Sequence, residues 1–458
     1  MADLEHRNLL QYNSLEDHYD LHPVVRGFLA GSLNIDDMES YGQKVVDHFT
    51  SQPHKPYEQA KTMVDVEAGL QVVRTLLKLG HRQQAANALT QDLVGALLVN
   101  LEAHMETLTL LRPFFHTGWN WLPKNVDADT ASFLTNIAAL ALSECGEGKQ
   151  AIGAYTTLMD VNLETKNWRN SRGILNNIAE NLSRQNQLAQ TLRVSALFLD
   201  LASASEDTEH IFTSRLQLFA VHSRLGQYSE AICTWRRLDP MGRQWRRSTY
   251  RQGDAEWCFA QSQFWQGRLQ EGQISTAVTI AEQDHNRTTL RDLHKLRGSW
   301  RLEQGDWALA AASFTQAVTM AREARLVDAA SESSLALAKV QLRKLNGDDA
   351  RNEAQRLAQL HEPAHLILAQ LWQMLGDLDQ AKHHALAAYT WAWADGEPYV
   401  NRYELTKSTE LLHELGVPIP NLPPYDPAND EPFPWEVSVR AAIEELRAEK
   451  AAKQKAEQ

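Results

Sequence analysis

The chain has 458 residues, 43% of them hydrophobic, with 45 basic against 58 acidic side chains and a net charge of −13. That apolar share supports a large core, whereas so acidic a surface repels phosphate backbones and anionic lipid heads, so neither nucleic acid nor membrane is an expected partner. The three cysteines, Cys145, Cys233 and Cys258, form neither a disulfide framework nor a zinc pattern, no apolar run approaches the ~18 residues of a membrane span, and MADLEHRNLL lacks the basic-then-apolar order of a signal peptide, which together predict a soluble, cytoplasmic protein.

The first predicted elements lie in YDLHPVVRGFL, residues 19–29. Tyr19, Asp20 and Leu21 predict a short strand, and Pro23 opens a small amphipathic helix carrying Val24, Val25, Phe28 and Leu29. From there on the chain reads as helix after helix. One phrase recurs: a helix ending in Gly, a short polar turn, then Ala five residues after the Gly. It stands at KLGHRQQA (Gly80, Ala85), ECGEGKQA (Gly146, Ala151), RLGQYSEA (Gly226, Ala231), EQGDWALA (Gly305, Ala310) and MLGDLDQA (Gly376, Ala381). WQGRLQEG carries Gly272 in place of the Ala, and weaker copies fall near Gln185 and Gly347. Gly adopts the left-handed conformation that ends one helix, and the small Ala lets the next pack closely against it. The phrase resembles the tetratricopeptide repeat (TPR) turn, G-[DN]-[YW]-x-x-A.

Gly226, Gly267, Gly305 and Gly347 are 41, 38 and 42 residues apart. This exceeds the ~34 of a standard TPR, so longer helices or connections are expected. IFTSRLQLFAVHSRLG places Ile211, Phe212, Leu216, Phe219 and Leu225 on one helical face, and LILAQLWQMLG does the same with Leu366, Ile367, Trp372 and Leu375. The stretch over 97–121, with FFHTGWNWLP, is the least regular and is read as a distorted repeat. After Gly416, VPIPNLPPYDPANDEPFPWE is too rich in proline for helix and should run extended, and a final helix should fray into a charged end. The expected fold is all-α, a right-handed TPR-like α-solenoid superhelix with a short winged-helix remnant at the N-terminus. Its expected parts are a remnant and connector over 1–50, about eight helical hairpins over 51–415, and an extended segment with a C-terminal helix over 416–458.

Catalytic chemistry is sought without finding a complete motif. HEPAH, residues 361–365, satisfies the H-E-x-x-H pattern, but Pro363 belongs in a first helical turn. His361 then precedes the helix that holds His365, and the two cannot share a face to bind zinc. GEGKQA fails the phosphate-loop pattern twice, with Ser143 in place of the first Gly and Gln150 in place of the Ser/Thr. No enzyme, cofactor or metal is expected. The candidate ligand-binding residues are Trp235, Arg236, Arg237, Arg243, Trp245, Arg246, Arg247, Arg251 and Trp257, an Arg/Trp run in an acidic protein. Planar cations and large rings favour binding hot spots on a concave face; the other reading is that the Trp are inter-helix core and the Arg pair with acidic groups.

YDLHPVVRGFL also resembles the end of the winged-helix domain of STAND-class signalling ATPases, the NB-ARC and AP-ATPase group, in which a helical-repeat sensor follows directly. The segment over 387–427, AAYTWAWADGEPYVNRYELTKSTELLHELGVPIPNLPPYDP, is similar to the C-terminal part of bacterial members with TPR sensors. The resemblance implies that His22 matches the histidine that contacts the phosphate of bound ADP, with Leu21 and Pro23 replacing the flanking Met and Asp. It implies a ligand-sensing, autoinhibitory scaffold acting on a nucleotide-binding domain in cis or in trans, with phage defence or transcriptional control as output. The partner on the concave face would be a protein or peptide. The alternative is a free-standing TPR adaptor that binds peptides or partner proteins.

Overall fold

The computed structural model describes residues 10–13, 18–21, 32–245, 253–283 and 286–457. Two short strands, β1 (Leu10–Asn13) and β2 (His18–Leu21), pair antiparallel with Gln11 opposite Asp20 and Tyr12 opposite Tyr19. The strand expected at Tyr19–Leu21 is present. The helix expected from Pro23, and His22, lie outside the described residues. Helix α1 (Ile35–Ser51) follows and packs on α2 (Glu67–Lys78), which pairs with α3 (Arg82–Thr90).

After an irregular stretch that includes α4 (His104–Leu111), the array becomes regular. Its hairpins are α5 (Ala128–Glu144) with α6 (Gly148–Glu164), α7 (Trp168–Arg184) with α8 (Leu188–Ala204), and α9 (Thr208–Arg224) with α10 (Tyr228–Trp245). Next come α11 (Asp254–Trp265) with α12 (Glu271–Gln283), α13 (Arg287–Glu303) with α14 (Trp307–Glu323), α15 (Ala329–Gln341) with α16 (Gly347–Ala358), and α17 (His365–Met374) with α18 (Leu378–Trp393). α19 (Arg402–Glu414) and the C-terminal α20 (Glu436–Glu457) complete the chain. This is an all-helical TPR-like solenoid. The starts of α5, α7 and α9 are 40 residues apart because 17-residue helices replace the shorter ones of a standard repeat, which explains the long spacing in the sequence.

Local chemistry dictates these boundaries. Asp127, Asn167, Asp207, Asn286, Asp306, Asp328, Asn346 and Asp377 each stand at a helix N-cap, where the side chain accepts a backbone N–H three residues on. The helices end on left-handed residues, Gly80, Gly146, Gly226, Gly267, Gly305 and Gly376. Where Gly is missing, Asn186 (φ 64°) and Arg343 (φ 55°) take its conformation, so the weak copy near Gly347 turns at Arg343 and Gly347 opens the next helix. The Ala five residues after the glycine, at 85, 151, 231, 310 and 381, is buried in every case. At Gly298 a Cβ would stand 2.7 Å from the Phe314 ring, so the α13–α14 contact requires the missing side chain.

The proline-rich segment runs without regular structure until a single turn at Pro427–Asn429. It delivers the fully buried Trp435, with Val439 and Ile443, onto a core built from α6, α7 and α8. α20 does not fray at its charged end as expected; it stays helical to Glu457. Its strong helix formers account for this, together with ion pairs from Glu445 to Lys166, Arg447 to Asp200 and Lys450 to Glu206.

Candidate functional site

The first helices of successive hairpins, α5, α7, α9 and α11, share one face of the solenoid. The segment over 90–98 lies across from them, and together they enclose a cleft of about 530 Å³. Its floor is apolar, with Val94, Leu98, Phe133, Ile137, Leu140, Phe212 and Leu216, and Phe133 stands 41% exposed there. Its wall carries Asn176, Asn177, Glu180, Glu209, Asp254 and Glu256. The Cys258 thiol is pushed well above its ordinary value by burial and then by Asp254, Glu180, Glu256 and Asp292, which removes it as a nucleophile.

A row of carboxamides crosses the same face. Asn177 Nδ2 donates to Asn136 Oδ1 at 3.3 Å, Asn176 Nδ2 donates to Asn177 Oδ1 at 3.2 Å, and Gln217 Nε2 donates to Asn176 Oδ1 at 2.8 Å. The row therefore joins α5, α7 and α9, and the buried Gln217 Oε1 has no partner among the described residues. The candidate list drawn from composition omits these amides. A signal was present: Asn136, Asn177 and Gln217 are 41 and 40 residues apart, the repeat period itself.

Beside the cleft the inner face is charged. Glu144 pairs with Arg184 at 2.7 Å, Glu102 with Arg291 at 2.8 Å, and Lys295 with Asp328 at 3.5 Å. Burial raises the Asp292 carboxyl, with Lys295 and Arg291 opposing the rise. The Asp328 charge raises Lys295, while Lys295 and Ser331 hold Asp328 low against the upward push of burial. His104 is lowered by burial, with Glu144 and Glu102 acting in the other direction.

The Arg/Trp candidates divide. Trp235 on α10 is half-buried, its ring tilted against Phe219 at 4.9 Å and Phe259 at 4.6 Å, and belongs to the packing between hairpins. Trp257 packs against the core of α11–α13, and its buried Nε1 has no partner among the described residues. Arg236 and Arg237 are exposed on α10. The side chains of Arg243 and Trp245, and residues Arg246, Arg247 and Arg251 altogether, lie outside the described residues. Pro363 does precede the helix that starts at His365, which leaves His361 outside it. The partner of His365 is instead His384 on α18, with 2.8 Å between their Nδ1 atoms.

No family pattern and no curated protein matches the chain. Among solved structures it is similar to a signal transduction ATPase with numerous domains (STAND) carrying a tetratricopeptide repeat sensor, from Pyrococcus horikoshii. Identity is 12% and the TM-score 0.33, over 97% of this chain and 55% of that one, so the chain spans about half of that protein's length. It is also similar to the APC/C hetero-tetramer Cut9–Hcn1, at 11% identity and a TM-score of 0.31, over 92% of this chain and 98% of that one. At such scores neither likeness adds to the architecture read from the helices themselves. Among the described residues, no helix is long and apolar enough to cross a membrane.

Proposed function

We propose that the chain is a non-catalytic, protein-binding scaffold whose inner cleft takes a peptide segment bearing apolar side chains. The observation that carries this reading is the cleft over α5, α7, α9 and α11, which sets an exposed Phe133 and an apolar floor beside a row of carboxamides. The floor binds apolar side chains. Carboxamides offer both donors and acceptors, which suits the N–H and C=O groups of a peptide main chain. Within that reading, the chain acts as the sensing and autoinhibitory arm of a STAND-type ATPase. Support for this comes from the YDLHPVVRGFL stretch, from the β1–β2 hairpin that precedes the solenoid, and from the resemblance of the segment over 387–427. A ligand that favours one packing of the arm against a nucleotide-binding domain, in cis or in trans, would release its inhibition. A free-standing adaptor would use the same cleft with no ATPase attached.

Photocross-linking in the native cells tests the cleft. A benzophenone side chain in place of Phe133 should give a peptide or protein adduct, whereas the same group at the exposed Leu309 of α14 should not, and Asn176→Ala with Asn177→Ala should abolish the adduct at 133. Equal labelling at both positions, or none at 133, would sink the reading.

A further inference from the structure

From the end of α3 the chain forms a second wall of the cleft through Thr90, Gln91 and Gly95, carries Val94 and Leu98 into its floor, and passes through a π turn at Ala96–Asn100 to reach across the solenoid. Glu102, 2% exposed, accepts on both carboxylate oxygens from Arg291 Nη1, at 2.9 and 2.8 Å, and on Oε1 from Thr288 Oγ1 at 2.7 Å, 189 and 186 residues further along the chain. One helical turn on, Glu106 pairs with Arg325 in the turn between α14 and α15. Glu102 holds a left-handed backbone at φ 47° where the π turn stops, as Asn186 and Arg343 do at their helix ends.

We propose that residues 101–106 are a clasp that holds the first turns of the array against α13–α15, and that the clasp sets the width of the cleft because wall and clasp are one continuous stretch of chain. The contact is made by Glu, Thr and Arg rather than by apolar surface, so its two sides can part and be solvated separately, unlike the apolar seams between successive hairpins. An occupant that needs the wall moved must therefore release Glu102 from Arg291, and release of the clasp must widen the cleft. This is the discrete two-arrangement element through which a ligand at the inner face can change the reach of the whole array.

The test measures two distances by pulsed electron resonance in a Cys145→Ala, Cys233→Ser, Cys258→Ala background. One spin-label pair, at the exposed Thr109 and Val327, spans the clasp; the other, at Gln91 and the exposed Thr208, spans the cleft. The parent should give single narrow distributions. Glu102→Gln with Glu106→Gln should shift both to longer, broader separations while the far-ultraviolet circular dichroism stays helical. An unchanged clasp distance, or a longer clasp distance with an unchanged cleft distance, would overturn the proposal. If the double variant loses helicity, Arg325→Gln, whose side chain is 72% exposed, is read by the same two distances. None of these measurements uses a ligand, so the clasp can fail while the peptide-binding reading of the cleft stands.

Discussion

His365 and His384 show how much of this molecule turns on single side chains facing each other across a hairpin. Their Nδ1 atoms are 2.8 Å apart, so one ring must donate and the other accept, and a proton added to the accepting nitrogen would leave two N–H groups pointing at each other. Burial, then the neighbouring His365 and His383, lower His384 to about 4. Burial lowers His365 as well. An imidazole whose folded pKa lies below its unfolded value of ~6.5 is protonated first in the unfolded chain on acidification. Its contribution is thus intact above that value and lost as pH falls toward 4. The melting temperature should be flat from pH 8 to 7 and should fall steadily from 6.5 to 4, and His384→Gln should make that fall smaller. A profile identical in the variant would remove His384 from the account. The sequence made His365 visible, but as a member of a zinc pattern with His361 and not as the partner of His384. Their actual pairing joins residues 19 apart on two helices, which no spacing rule within one helix can show.

At the scale of elements, the hairpins were legible because one physical requirement writes one phrase: a left-handed stop, then a small residue at the crossing. Ala85, Ala151 and Ala310 are buried where the phrase puts them. Trp372 and Phe219 likewise lie on the faces their periodicity gives, although Leu368 and Leu371, which that pattern passed over, are fully buried beside Trp372. Of the irregular stretch over 91–127, the sequence marked only 97–121, and as a distorted repeat. Its short helix, π turn and single turn at Arg112–Phe114 obey no period, and its role as cleft wall comes from contacts with distant helices. The C-terminal strap was legible as extended chain but not as a fastening. Phe433 stacks on Trp435 at 5.1 Å, Arg193 binds both Asp430 and Glu436, and Trp435 fills a pocket among α6, α7 and α8. Trp435→Ala should cost about 3–5 kcal/mol locally, the usual range for a buried Trp truncated to Ala. The expected readouts are a lower unfolding midpoint for α6–α8 and faster amide exchange there, with α15–α18 unaffected. Equal loss of protection across the whole array would mean that α20 fastens more than its own contacts show.

For the molecule as a whole, the sequence left open whether the array spirals or closes. It closes twice. Glu102 and Glu106 meet α13–α15 at one end. At the other, the half-buried Arg224 lies 5.9 Å from the Trp391 ring and donates to Ser183 O at 2.6 Å, to Asn186 Oδ1 at 3.1 Å and to Asn401 Oδ1, while Asn401 Nδ2 donates to Asn186 Oδ1 at 2.5 Å. Tyr403 then hydrogen-bonds Glu303 and packs 5.2 Å from Phe264. The longest of these contacts span 100 to 219 residues, and a single sequence carries no record of them. Release of the proposed clasp would give the array a second arrangement, as the proposed sensing arm requires. The proposed function implies a second component, the nucleotide-binding ATPase, in the same polypeptide or beside it. The measurement that tests this most directly is the native mass and nucleotide content of the protein isolated from its own cells through a tag after Gln458. The account predicts a species well above 51.8 kDa that carries bound ADP or ATP. A nucleotide-free chain of 51.8 kDa, with no ATPase accompanying it, would contradict the account and leave a free-standing adaptor.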